Sequence, residues 1–217
     1  QMFPSMSTQS TYKIVLDGAK KSGKTSILRR ISRNEFVEQS EKDTEPIPHI
    51  VTHGVCIEGP RLVNLEIWER ISSIDKEALY ENVDASVFAY DITSRSSFEK
   101  ALTRLQKIRQ KSKGRGIYGL VGCKSDQMEE REVEMEEALE WARSESLDFC
   151  LEVSSKTPVN IPGVCTIIAR KLDKRRATGD SQIPSPNEKS PLEGEESPIK
   201  KPKKNPVRKF FQSILCC

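Results

Sequence analysis

Long apolar runs are missing from this chain of 217 residues. No stretch of about 18 apolar residues occurs, so no segment is long and apolar enough to cross a bilayer as a helix. Histidine is scarce too. His49 and His53 stand four apart, but Pro46 and Pro48 argue against the helix that would put them on one face, and a metal pair is not expected there. No two cysteines have CxxC spacing. Cys56, Cys123, Cys150 and Cys165 are scattered in or beside apolar stretches, which suits small buried thiols in a reduced, intracellular protein. A large charge excess is also missing: 35 basic and 32 acidic residues leave +3, too little to point to nucleic acid. The first residues, QMFPSMSTQS, lack the basic and apolar pattern of a signal segment. There is no internal repeat.

What is present alternates. YKIVL, LVNLEIW, ASVFAYDI, GIYGLVG and DFCLEV read as buried strands. Between them KTSILRRISRNEF, SSFEKALTRLQKIRQKSK, EVEMEEALEWARSES and VCTIIARKLDKRR carry helical spacing. In the second of these Phe98, Leu102, Leu105 and Ile108 form one stripe, with Ser96 or Ser97 as its cap and Gly114 as its end. Strands that alternate with helices predict an α/β fold with a mainly parallel sheet covered on both faces. Ligands of such sheets bind at the carboxyl ends of the strands. The organisation expected is a flexible N-terminus over 1–10, one domain over 11–177 and a disordered tail over 178–217, where Pro, Ser, Glu and Lys replace apolar residues.

The first strand runs into GAKKSGKTS, residues 18–26. Gly18, four residues, then Gly23, Lys24 and Thr25, between a strand and a helix, is a phosphate-binding loop pattern. Gly18, Ala19, Lys20, Lys21, Ser22, Gly23, Lys24, Thr25 and Ser26 are the candidate phosphate-binding residues. Backbone N–H groups of the loop and the helix N-terminus would cradle phosphates. Lys24 would reach the β- and γ-phosphates, and the Thr25 hydroxyl would take a Mg²⁺ position.

Two further segments follow strands: GCKSD at 122–126 and EVSSKT at 152–157. With the loop, they make the chain resemble the small GTPases of the Ras superfamily. That family's base-reading segments are NKxD and SAK, which stand here as Cys123, Lys124, Ser125 and Asp126, and as Ser154, Ser155 and Lys156. A carboxylate at Asp126 accepts hydrogens from guanine N1 and N2 and meets adenine's N1 acceptor unfavourably. The resemblance implies Lys124 along the base plane and a backbone N–H near Ser155 donating to guanine O6. Ile67-Trp68, AYDITSRSSFE at 89–99, EVSSKT and the final Cys216-Cys217 look Rab-like. The resemblance covers about residues 11–176 and the C-terminus. It implies GTP or GDP with Mg²⁺ as ligands.

The departures from the family pattern gather around the γ-phosphate. The family expects WDTAGQE; this chain has Trp68-Glu69-Arg70-Ile71-Ser72-Ser73. The magnesium-side Asp is Glu69, Ser72 replaces the γ-phosphate Gly, and Ser73 is too short to orient water as the family's Gln does. The segment onward to Tyr80 is several residues shorter than in the family. The switch I Thr has Pro46 or Glu45 at its position, with Thr44 out of register, and two prolines stiffen that segment. Lys20 stands where the family has a small residue; a lysine either obstructs that space or favours phosphate by its charge. Lys21 occupies a Gly position. Cys123 replaces the Asn that ties the base loop to the phosphate loop. Trp68 either belongs to an effector-contacting patch or packs in the core. The implied reading is a guanine-nucleotide binder with very weak hydrolysis and no intact catalytic residue.

In the tail, residues 180–196 hold five acids and one lysine, while 200–209 hold six basic residues and no acid. By itself this is a solvated linker or a nuclear signal. In Rab proteins a terminal CC receives two geranylgeranyl groups, and the resemblance implies the same for Cys216 and Cys217. Two lipid chains anchor stably where one is marginal, and nearby basic residues add about 1 kcal/mol each at an anionic leaflet. Partners implied are guanine nucleotide, an intracellular membrane, and effector, exchange and prenyl-escort proteins, with no nucleic acid. The competing readings are a pseudo-GTPase scaffold that does not switch and another phosphate-loop enzyme such as a nucleotide kinase.

Overall fold

A computed structural model describes residues 10–38, 48–57, 61–71, 79–112 and 116–178. The expectations for the N-terminus, Thr44, Glu45, Pro46, Ser72, Ser73, Gly114 and the tail with Cys216 and Cys217 lie outside the described residues.

Six strands form one sheet in the order β2-β3-β1-β4-β5-β6. They are β1 (Ser10–Gly18), β2 (Ile50–Cys56), β3 (Leu62–Glu69), β4 (Ala85–Asp91), β5 (Ile117–Cys123) and β6 (Phe149–Val153). All neighbours pair in parallel except β2 with β3. Among the described residues four α-helices follow in chain order: α1 (Lys24–Arg33), α2 (Arg95–Lys111), α3 (Met135–Ser144) and α4 (Ile161–Ala177).

The central strands β4 and β5 are buried at every residue. Such continuous apolar runs are what a parallel sheet covered on both faces requires. One face packs Ile27 and Leu28 of α1 and Val164, Ile168 and Leu172 of α4 against Ile14, Leu65 and Val87. The other packs Phe98, Leu102 and Leu105 of α2 and Ala138 of α3 against Phe88, Tyr90 and Leu120. The stripe on α2 thus faces the core as its spacing predicts, but its cap is Ser94, whose side chain accepts from Ser97 N–H. Ser97 is buried instead, its hydroxyl donating to Ser94 O at 2.8 Å.

Periodicity does not reveal β2. Its burial does alternate, with Val51, His53 and Val55 turned inward, but a histidine fills the middle inward position and Ile50 and Cys56 are exposed, so the residue types do not show the alternation that pairing with β3 produces. At the other end of β1, Asp84 joins the strand bases. Its Oδ2 accepts from Lys13 N–H at 2.7 Å, its own N–H donates to Lys13 O, and its carbonyl accepts from Ile117 N–H.

Candidate functional site

β1, β3, β4, β5 and β6 all end on one side, and the candidate residues sit just past those ends. Gly18 closes β1, and a Cβ there would lie 2.2 Å from Ala89 O, so only glycine fits beside β4. Gly23 caps α1 at φ 97. Between them Lys21 holds φ 66, the left-handed region that suits the Gly expected there and that costs a lysine about 1 kcal/mol. Lys24 is buried, and its Nζ donates to Ala19 O at 2.8 Å and Gly18 O at 3.3 Å. Burial lowers its pKa, while Glu69 and then Asp17 oppose that shift. The Ser22 hydroxyl is buried without a partner. Ala19 is buried and Lys20 exposed.

Across the loop, Glu69 ends β3 almost wholly buried. Its Oε1 accepts from the Thr25 hydroxyl at 2.6 Å. A hydroxyl and a carboxylate this close are hard oxygen donors of the sort Mg²⁺ takes, so the residues fit the ion that the loop pattern implies. Thr25 and Glu69 would hold it, and it would supply charge neutralisation for phosphate. Among the described residues no three His, Cys, Asp or Glu side chains converge on one point.

On the far side of the loop a cleft of about 330 Å³ is lined by Lys21, Gly23, Phe36, Cys123, Asp126 and Lys156, among others. Asp126 Oδ1 accepts from Ser154 Oγ at 2.5 Å, and the same Ser154 oxygen accepts from the N–H groups of Lys156 and Thr157. Three contacts therefore orient the carboxylate and its loop together. Lys124, at φ 64, ion-pairs with Asp91 at 2.5 Å. Ser155 O accepts from Arg30 Nε at 2.9 Å and Nη2 at 2.6 Å, pinning the base loop to α1. Lys156 Nζ reaches Glu38 at 3.3 Å across the cleft. Cys123 is fully buried, and burial pushes its thiol up to about 12, a neutral and inert form. It packs under the loop: a Cβ on Gly23 would stand 3.0 Å from Cys123 Cβ. Van der Waals contact replaces the hydrogen bond an Asn would give.

With the phosphate loop, the carboxylate facing Thr25 and the oriented Asp126 all placed, the comparison with known families is direct. A family model described as Ras family matches residues 13–174. The chain belongs to the Ras family. It is a small GTPase of the Ras superfamily with a guanine-nucleotide-binding domain, and Ras-family GTPases bind GTP or GDP with Mg²⁺.

Several residues at this Ras-family site carry no motif of their own. Asp17, buried at the end of β1, accepts from Gly18 N–H and Tyr80 Oη, both at 2.6 Å. It also pairs with Arg104 at 3.0 Å and Arg70 at 3.5 Å. Arg104 donates in addition to Gly18 O. The only sequence trace of this knot is an acid directly after the apolar run YKIVL. A larger hollow, about 780 Å³, borders it, but it contains none of the phosphate-loop or base-reading residues. His49 joins Glu69 from the start of β2. Trp68 does not pack in the core: it is half-buried, its indole N–H donates to Glu66 at 3.0 Å, and Lys13 lies over its ring.

Proposed function

We propose that this small GTPase is Rab-like, holds guanine nucleotide with very low intrinsic hydrolysis, and acts at a membrane in vesicle traffic or protein transport. The observation that carries the binding half is Asp126, held by Ser154 at the mouth of a cleft whose wall includes Lys21, Gly23 and Ser26 of the loop. Phosphate then lies along 18–26, guanine against Cys123, Lys124, Asp126 and 154–156, and the cation beside Thr25 and Glu69. The low rate rests on Lys20 and Lys21 in the loop and on Ser73 in place of a water-orienting residue. Ras itself, with its catalytic parts intact but without its activator, turns over on the order of 10⁻⁴ per second, and this chain is expected to be slower. Single-turnover hydrolysis of labelled GTP tests it; a rate equal to that of an ordinary small GTPase refutes the reading.

Dual geranylgeranylation of Cys216 and Cys217 beside the basic stretch 200–209 would anchor the protein on the cytoplasmic face of an intracellular membrane, with a cytosolic pool handled by a prenyl-escort protein. Effector and exchange proteins complete the partners. Changing both cysteines to Ser should release it to the cytosol; unchanged partitioning refutes the anchor.

A second reading is a scaffold that does not switch. Arg70 and Tyr80 lie on either side of the shortened segment between them, and both are held by the buried Asp17. Ends fixed in this way favour a surface indifferent to the γ-phosphate. Equal amide exchange of 70–80 with GDP and with a GTP analogue would support it.

A further inference from the structure

Arg30 lies on α1, the helix that opens with Lys24, and shares a face with Ser26, which lines the cleft one turn earlier. Its guanidinium is divided between two anchors. Nη1 donates to Asn34 O at 2.6 Å, where α1 ends. Nε and Nη2 both donate to Ser155 O, at 2.9 Å and 2.6 Å, and Nη2 stands 3.5 Å from Lys156 O. One edge of the planar fork is fixed to the helix and the other to the loop at 154–156. A lysine has no such geometry, since its ammonium is a single point of charge.

The peptide unit that accepts these two bonds has a second end. Its carbonyl belongs to Ser155 and its N–H to Lys156. That N–H donates to Ser154 Oγ at 3.1 Å, and the Ser154 hydroxyl donates to Asp126 Oδ1 at 2.5 Å. The bonds run head to tail: guanidinium to carbonyl, amide N–H to hydroxyl oxygen, hydroxyl hydrogen to carboxylate. Every donor points the same way, from a cation to an anion. In such a chain each bond polarises the next and strengthens it, the more so away from water. Ser154 is wholly buried and Ser155 nearly so. A carboxylate that meets N1–H and N2–H of guanine together must hold its plane, because two parallel bonds constrain angle as well as distance.

We propose that Arg30 is a positioning residue for guanine specificity, holding the plane of Asp126 through the Ser155–Lys156 peptide and the Ser154 hydroxyl. The inference rests on the reading of Asp126 as the guanine-binding carboxylate. Arg30 acts through Ser154 and not on the base itself. Because it shares α1 with Lys24 and Thr25, the helix that begins at the phosphate loop also sets where the base is read. Spacing cannot disclose this link, for Arg30 and Ser155 stand 125 positions apart.

Inosine diphosphate is the probe. It keeps the ribose, the phosphates and the N1–H of GDP but lacks the 2-amino group, so the ratio of the two affinities reads the Asp126 contact to N2. Each nucleotide is competed against labelled GDP on the purified full chain and on Arg30→Met, Arg30→Gln and Arg30→Lys. A charge-assisted bond to N2 gives the natural chain a preference for GDP of roughly tenfold or more. The expected result is a preference reduced at least about threefold in Arg30→Met. Arg30→Gln and Arg30→Lys, which keep a single donor for Ser155 O, should fall between Arg30→Met and the natural chain, and they carry the same comparison if Arg30→Met does not fold. A ratio equal to the natural one in every variant, even where both affinities drop, overturns the inference and leaves the guanine reading standing, since Arg30 then supports only the fold. A natural chain that binds both nucleotides equally overturns the guanine reading, and the inference with it.

Discussion

Replacing Asp84 by Asn isolates the effect of burying one carboxylate under the sheet. Asp84 is only 9% exposed. Burial lifts its carboxyl to about 6 from the ordinary 3.8, against the opposing pull of the Lys13 N–H and the Lys13 charge. The raised value means that the fold favours the protonated acid. The stabilisation is complete below the unfolded value near 3.8 and is lost as pH rises through about 6. A displacement of about 2 pH units corresponds to about 3 kcal/mol in full, of which about 2 kcal/mol falls between pH 4.5 and 7.5. Asn keeps an oxygen for the Lys13 N–H and does not titrate. Urea unfolding at the two pH values should therefore show Asp84→Asn gaining about 2 kcal/mol on the natural protein at pH 7.5 relative to pH 4.5. A stability difference that is the same at both pH values would refute the burial argument.

Two other outcomes follow from the site. Asp126→Ala removes charge-assisted bonds of about 1.5–3 kcal/mol, so competition binding should show guanine preference over adenine falling by about 10- to 100-fold. Arg104→Met breaks the bonds to Gly18 O and Asp17 while Arg70 and Tyr80 still satisfy the carboxylate. With Arg104 about one-third exposed, the expected loss is about 1–2 kcal/mol, and calorimetry should show a melting temperature lower by a few degrees.

Strand and helix identities are legible in the sequence where burial is continuous or periodic. β4 and β5 read as strands because both faces are covered, and α2 reads as a helix because its apolar residues recur every three to four positions. β2 is not legible: as an edge strand it is half-polar, and its partner lies beyond the next turn. The loops at 18–26, 122–126 and 152–157, proposed to hold phosphate and base, are legible as candidates because their chemistry is local, carried by short runs with fixed spacing. The knot around Asp17 is not. It joins residues 17, 70, 80 and 104, whose only link is the register of β1 between β3 and β4. His49 shows the same limit. Its pairing with Glu69 depends on the antiparallel register of β2 and β3, whereas spacing alone pairs it with His53.

The carbonyls of Gly18 and Ala19 are both turned to cations, Lys24 for the pair and Arg104 for Gly18 as well. The loop therefore has a polarity of its own. Its acceptors are spent inward, and what remains for an arriving molecule is ammonium charge and the amide ends of α1. A ligand is sorted first by the sign of its charge, through long-range attraction that salt weakens. Only after that would the proposed reading of a base edge by Asp126 come into play.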